Sequence, residues 1–175
     1  MKETRINDRV VRLVVGDITD MEVEAFVFYA SHDLKLGTGF GSAIAMRGGQ
    51  SIQKALDEMG GAETCQSVIT EAGEMKAKHI IHSVGPRHNE PDIEGKLKRT
   101  IDGVIKLAED NGIKQVAFPP MGAGFYGVPL PTCSKIMLET FAEYLKNEPK
   151  LDEIIISALD SREYKPFEAA WSALS

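Results

Sequence analysis

The stretch "KQVAFPPMGAGFYGVPLPTCSKIMLETFAEYL", residues 114–145, decides how this chain folds. An apolar run, Val116 to Phe118, meets two prolines and then a glycine-rich turn. An amphipathic segment follows, with Pro131 in its first turn, where a missing N–H costs nothing. The order is strand, glycine loop, helix, the local unit of an α/β fold. Gly122, Gly124 and Gly127 spell G-x-G-x-x-G, the spacing of a dinucleotide-binding turn. That turn opens a βαβαβ unit and needs an acidic residue at the end of the next strand. Here one strand remains, and its acid, Asp160, lies more than thirty residues on. No GK[ST] follows, which excludes a P-loop. The loop is either another kind of phosphate cradle or a tight corner.

Working outward, six segments read as strands: 10–15, 25–30, 66–71, 79–84, 114–118 and 153–159. Several are near-continuous apolar runs, the pattern of strands buried on both faces and covered by helices. Four segments read as helices. Residues 42–59 contain Gly48-Gly49, which predicts a kink or a break. Residues 93–111 place Ile93, Leu97, Ile101, Val104, Ile105 and Ala108 on one stripe, with Gly112 as the stop. Residues 131–147 and 162–174 complete the set. Thr19 and Glu22 match a capping box for a short helix after the first strand. The expectation is one α/β domain over residues 1–175 with a mixed sheet of about six strands.

Composition narrows the function. Twenty-six acidic against twenty basic residues give a net charge of −6. An acidic chain is poorly suited to hold nucleic acid through its phosphates. No run reaches the length of a membrane span, and "MKETRINDRVVRLVVGD" does not read as a signal peptide. The expected compartment is the cytoplasm, with Cys65 and Cys133 as free thiols.

A second glycine loop, "LKLGTGFGSAIAM", carries Gly37, Gly39 and Gly41 and also joins a strand to a helix. Both loops can expose backbone N–H groups without a Cβ in the way, each ahead of a helix N-terminus that favours an anion. Together they read as a clamp for a pyrophosphate; each alone reads better as a tight turn. In "LVVGDITD", Asp17 follows the first strand. Its carboxylate suits an exocyclic amino group, or caps the short helix. His32, beside Ser31 in the first loop, reads as a phosphate donor, a general base or an exposed loop histidine. His79 and His82, three apart on one strand, point to opposite faces and cannot easily share a metal. Cys133 near a helix start is either a reactive thiol or a packing residue.

With "GDIT" (16–19), "GFGSAI" (39–44), "IIHSVGP" (80–86) and "GAGFYGVP" (122–129) assembled, the sequence resembles the macro domain family over nearly its whole length. The resemblance implies a three-layer α/β/α sandwich that binds ADP-ribose in a crest-side cleft. Asp17 would bond the adenine amino group, with Ile18 packed nearby. Gly37, Thr38, Gly39, Phe40 and Gly41 would hold the diphosphate together with Gly122, Ala123, Gly124, Phe125 and Tyr126. The two aromatics would wall the distal ribose or serve as core anchors. The expected partner is ADP-ribose or an ADP-ribosylated protein or metabolite, with no cofactor and no metal.

Three departures weigh on activity. Hydrolytic members read "VNAAN" where this chain reads "VFYAS" (27–31): Phe28 replaces the first Asn and Ser31 the second. They read "GVDGAI" where it reads "GFGSAI", with Gly41 in place of the acid. Leu159 occupies the place of an adenine-stacking aromatic, for which Tyr164 is a possible substitute. No catalytic residue is assigned. The expectation is a binding module with weakened or absent hydrolase chemistry. The alternatives are a hydrolase of ADP-ribosyl derivatives and a scaffold without its ligand.

Overall fold

The computed structural model describes residues 1–175. Seven strands form one sheet: β1 (Lys2–Ile6), β2 (Arg9–Val15), β3 (Ala25–Tyr29), β4 (Ser67–Glu71), β5 (His79–Ser83), β6 (Gln115–Phe118) and β7 (Glu153–Ala158). Their spatial order is β1-β2-β7-β6-β3-β5-β4. The five central strands run parallel, while β1 and β4 are antiparallel edges.

The expected six strands are therefore seven. The addition, β1, carries charges in "KETRI" and lies half exposed at the sheet edge, so it lacks the apolar run of a central strand. Asn7 and Asp8 join it to β2 with φ of 54° and 64°. Positive φ at both positions is the requirement of a two-residue hairpin turn whose twist matches the strands.

Five helices cover the two faces: α1 (Phe40–Gly48), α2 (Gln50–Met59), α3 (Ile93–Asp110), α4 (Leu130–Leu145) and α5 (Ser161–Ala169). The predicted break occurs at Gly49, with φ of 89°. The expected last helix, 162–174, instead ends at Ala169 and continues as a 3₁₀ turn, Trp171–Leu174. The strand pleat sends alternate residues to two cores. Ala25, Val27, Val116, Phe118, Ile154 and Ile156 face α3, α4 and α5. Phe26, Ile80, Ala117 and Ile155 face α1 and α2 through Ile44, Ile52 and Leu56. Helices on both faces of a mixed sheet make the expected α/β/α sandwich.

The connections position the site. The chain leaves β3 toward α1 and α2 on one face and leaves β6 toward α4 on the other. Since β3 and β6 are parallel neighbours, their loops diverge from adjacent carboxyl ends. Such a switch point opens a crevice, the usual ligand position in open α/β sheets.

Candidate functional site

A cleft of about 450 Å³ lies at this switch point. One wall is the loop after β3, including Ser31 and Gly37 to Phe40; the other is the loop after β6, from Pro119 to Tyr126. Ile18 and Thr19 after β2 and Glu163 of α5 also line it.

The first loop is braced from below. Asp33 Oδ1 accepts the Ser31 hydroxyl at 2.6 Å and the Lys35 N–H at 3.1 Å. Gln53 of α2 accepts the Leu36 N–H at 2.9 Å and donates to the Leu34 carbonyl at 3.1 Å. Gly37 and Gly39 have φ of 67° and 62°, a region that L side chains avoid. The N–H groups from Gly37 to Ser42 have no acceptor within the protein. Several belong to the uncapped first turn of α1, where the backbone dipoles favour negative charge.

The second loop is similarly pinned. Val128 donates to the Gly122 carbonyl at 3.0 Å, and Gly127 to that of Gly124 at 2.9 Å. Phe118 of β6 and Phe141 of α4 meet edge-on at 4.8 Å, fixing the elements that flank the loop. Such a pair adds about 1 kcal/mol beyond the area it buries. The N–H groups of Gly122, Gly124, Phe125 and Tyr126 have no internal acceptor. Two glycine loops with unpaired donors thus face one cleft, an arrangement able to hold phosphate oxygens.

At the end beyond Ser31, Tyr126 packs edge-on against Tyr29 with centroids 4.8 Å apart. Tyr29 donates its hydroxyl to the Pro86 carbonyl at 2.5 Å, and burial pushes its pKa up. Phe125 is 84% exposed, at the rim. The Arg87 guanidinium lies 5.7 Å from the Phe125 ring centre and 5.4 Å from that of Tyr126.

Of the sequence candidates, Ile18, Ser31, Gly37, Thr38, Gly39, Phe40, Gly122, Ala123, Gly124, Phe125 and Tyr126 line the cleft. Asp17, Gly41 and Leu159 lie outside its lining. Asp17 caps the 3₁₀ turn Ile18–Asp20, accepting the Thr19 N–H at 2.9 Å and the Thr19 hydroxyl at 2.6 Å. The expected capping box on Thr19 and Glu22 therefore gives way to a cap by Asp17, whose short side chain reaches the N–H two residues on. Gly41 is buried, and a Cβ there would collide with the Leu36 carbonyl oxygen. Leu159 is 46% exposed.

For three other residues the structure decides between the alternatives that the sequence offered. His32 faces a separate hollow beside Gly60 to Glu63, with Nδ1 3.0 Å from the Ala62 carbonyl; it anchors the loop away from the cleft. Cys133 is wholly buried and its thiol contacts Met137 Sδ at 3.6 Å; burial pushes its pKa far up, the opposite of an activated thiol. Tyr164 is half-buried and packs against the core, outside the lining of the cleft.

Sequence reading missed Tyr29, Lys35, Pro119, Pro120 and Glu163 as lining residues. For Glu163 a signal existed. Asp160 and Glu163 have capping-box spacing, and Asp160 accepts the Glu163 N–H at 3.0 Å.

A macro domain family model matches residues 29–137. A macro domain-containing protein of Caldanaerobacter subterraneus is 34% identical, covering 94% of this chain and 97% of that one. O-acetyl-ADP-ribose deacetylase 1 of Pantoea vagans is 32% identical over 88% of this chain and 94% of its own. An ADP-ribose glycohydrolase of Xenopus laevis is 35% identical over 87% of this chain, which spans 38% of that protein. Among solved structures, the Oceanobacillus iheyensis macrodomain with ADP superposes with a TM-score of 0.93 at 26% identity, covering 99% of this chain and 95% of that one. Sequence match, sheet order and a cleft between two glycine loops agree, and the chain belongs to the macro domain family.

Proposed function

We propose that the cleft binds ADP-ribose, free or attached to a protein or metabolite, and that the chain acts mainly as a binding module. The observation that carries this reading is the pair of facing glycine loops with unpaired N–H groups. They suit a diphosphate, which needs many short donors and no bulk between them. In this reading Gly37 to Phe40 and Gly122 to Tyr126 cradle the two phosphates. Ile18 packs against the base, and Ser31, Phe125 and Tyr126 border the distal ribose. The solved macrodomains with ADP and ADP-ribose favour a nucleotide in this position.

A hydrolase is the second reading, favoured by the activities in the relatives' names. The residues here supply little for it. Ser31 offers one hydroxyl, whose hydrogen is engaged by Asp33, and Gly41 has no side chain. Glu163 is the only carboxylate in the lining, and one of its oxygens is taken by the Leu159 N–H. Orienting a water at the distal ribose needs a donor and an acceptor there.

Isothermal titration with ADP-ribose, against AMP, ATP and NAD, tests the binding. The expected result is micromolar affinity selective for ADP-ribose. Absence of binding would refute the module, and rapid turnover of an ADP-ribosyl ester by the pure protein would replace it with the enzyme.

A further inference from the structure

Two tyrosines of the cleft, Tyr29 and Tyr126, are clipped to the segment 86–88 that follows β5. The Tyr29 hydroxyl donates to the Pro86 carbonyl at 2.5 Å, and His88 donates its N–H to the Tyr126 carbonyl at 3.1 Å. Arg87 stands between these two bonds. Its guanidinium lies 5.7 Å from the Phe125 ring centre and 5.4 Å from that of Tyr126, within cation–π reach of both. Those rings line the cleft, and Arg87 itself does not.

Arg9, Arg12, Arg47, Arg99 and Arg162 each lie within ion-pair distance of a carboxylate. Arg87 has no such partner. The acid on its own segment, Glu90, is engaged elsewhere: Oε2 accepts the Arg87 backbone N–H at 2.8 Å, and Oε1 pairs with Lys96 at 3.2 Å. Arg87 is thus an exposed cation on an aromatic platform, with its fork of donors unused within the chain. A free arginine beside the open Phe125 ring has the composition of an interface anchor. Because Arg87 is outside the lining, the group it receives belongs to what the ligand carries beyond the cleft.

Resting on the nucleotide reading above, in which Phe125 and Tyr126 border the distal ribose, we propose that Arg87 and Phe125 form a docking surface for an acidic segment of an ADP-ribosylated protein. Such a protein is attached through that ribose, so the residues flanking the modified one leave the cleft past these rings. A glutamate or aspartate among them pairs with the Arg87 fork, and the chain beside it packs on Phe125. The two rings already restrict the guanidinium, so pairing costs less conformational entropy than it would for a free side chain.

The test is titration of the wild type and Arg87→Gln with free ADP-ribose and with two peptides that carry a stable ADP-ribosyl amide. The peptides are identical except that glutamates flank the modified residue in one and glutamines in the other. The wild type should favour the glutamate peptide about fivefold. Arg87→Gln should bind both peptides alike and keep the wild-type affinity for free ADP-ribose. Equal binding of the two peptides by the wild type overturns the proposal and leaves the nucleotide reading intact, as does a preference that survives in Arg87→Gln. An equal loss of affinity for all three ligands in Arg87→Gln would make the arginine part of the nucleotide site, and it overturns the proposal as well. Failure of the wild type to bind free ADP-ribose overturns both readings.

Discussion

Gly122 and Gly124 are two residues apart, both with positive φ, yet they serve different ends. A Cβ on Gly122 would lie 2.6 Å from Val128 Cγ2 and 3.1 Å from the Tyr29 hydroxyl, so this glycine allows close packing. A Cβ on Gly124 would meet nothing within 4 Å; its surroundings are open. Gly122→Ala should therefore cost stability, by about 1–3 kcal/mol from overpacking added to backbone strain. Gly124→Val should remain folded and lose ADP-ribose affinity by about tenfold or more, because its side chain projects beside the loop's N–H donors. Urea unfolding and calorimetry on the two variants separate the effects. Wild-type affinity in Gly124→Val would refute the phosphate cradle. Gly41 follows the logic of Gly122: its contact with the Leu36 carbonyl leaves no room for the acid that hydrolytic relatives carry.

At the scale of elements, β5 contains a buried titratable group. His82 is fully buried, its Nε2 2.9 Å from the Thr70 hydroxyl and its Nδ1 without a partner. The Phe28 ring of β3 meets it edge-on at 6.1 Å. Burial lowers its pKa from the usual 6.5 to about 4. The imidazole is therefore neutral in the folded state, while the unfolded chain takes up a proton below pH 6.5. This contribution to stability is complete above the unfolded value and declines as pH falls toward the folded one. Between pH 7 and pH 5 it should cost about 2 kcal/mol. His82→Gln, compared with its own value at pH 7, should lose correspondingly less in urea unfolding. Equal losses in both proteins would mean that His82 is not the group responsible.

For the whole molecule, the cleft is built by loops that leave opposite faces of the sheet, so a ligand there bridges both cores. Binding to the native state alone raises the melting temperature by mass action. At a hundred times the dissociation constant, ADP-ribose should raise it by about 5–10 °C for a chain of this size. Differential scanning fluorimetry reads this directly. No shift at millimolar ADP-ribose would point to a scaffold that keeps the fold without the ligand.

Local chemistry made much of this legible in advance. Apolar runs marked the five central strands and β4, Gly48-Gly49 marked the break between α1 and α2, and the two glycine loops marked the walls of the cleft. Those features depend on near neighbours in the chain: pleat, helix period and φ at glycine. β1 escaped because an edge strand half open to water need not be apolar. Only the tertiary structure turned His32 away from the cleft, buried the Cys133 thiol and packed Tyr164 half-buried against the core. It alone put Glu163 in the lining of the cleft and brought Arg47 to Asp17. A carboxylate's role depends on which donors reach it through space. For Asp17 one donor, Thr19, is two residues away, but Arg47 comes from α1, which only the closed sandwich brings beside it.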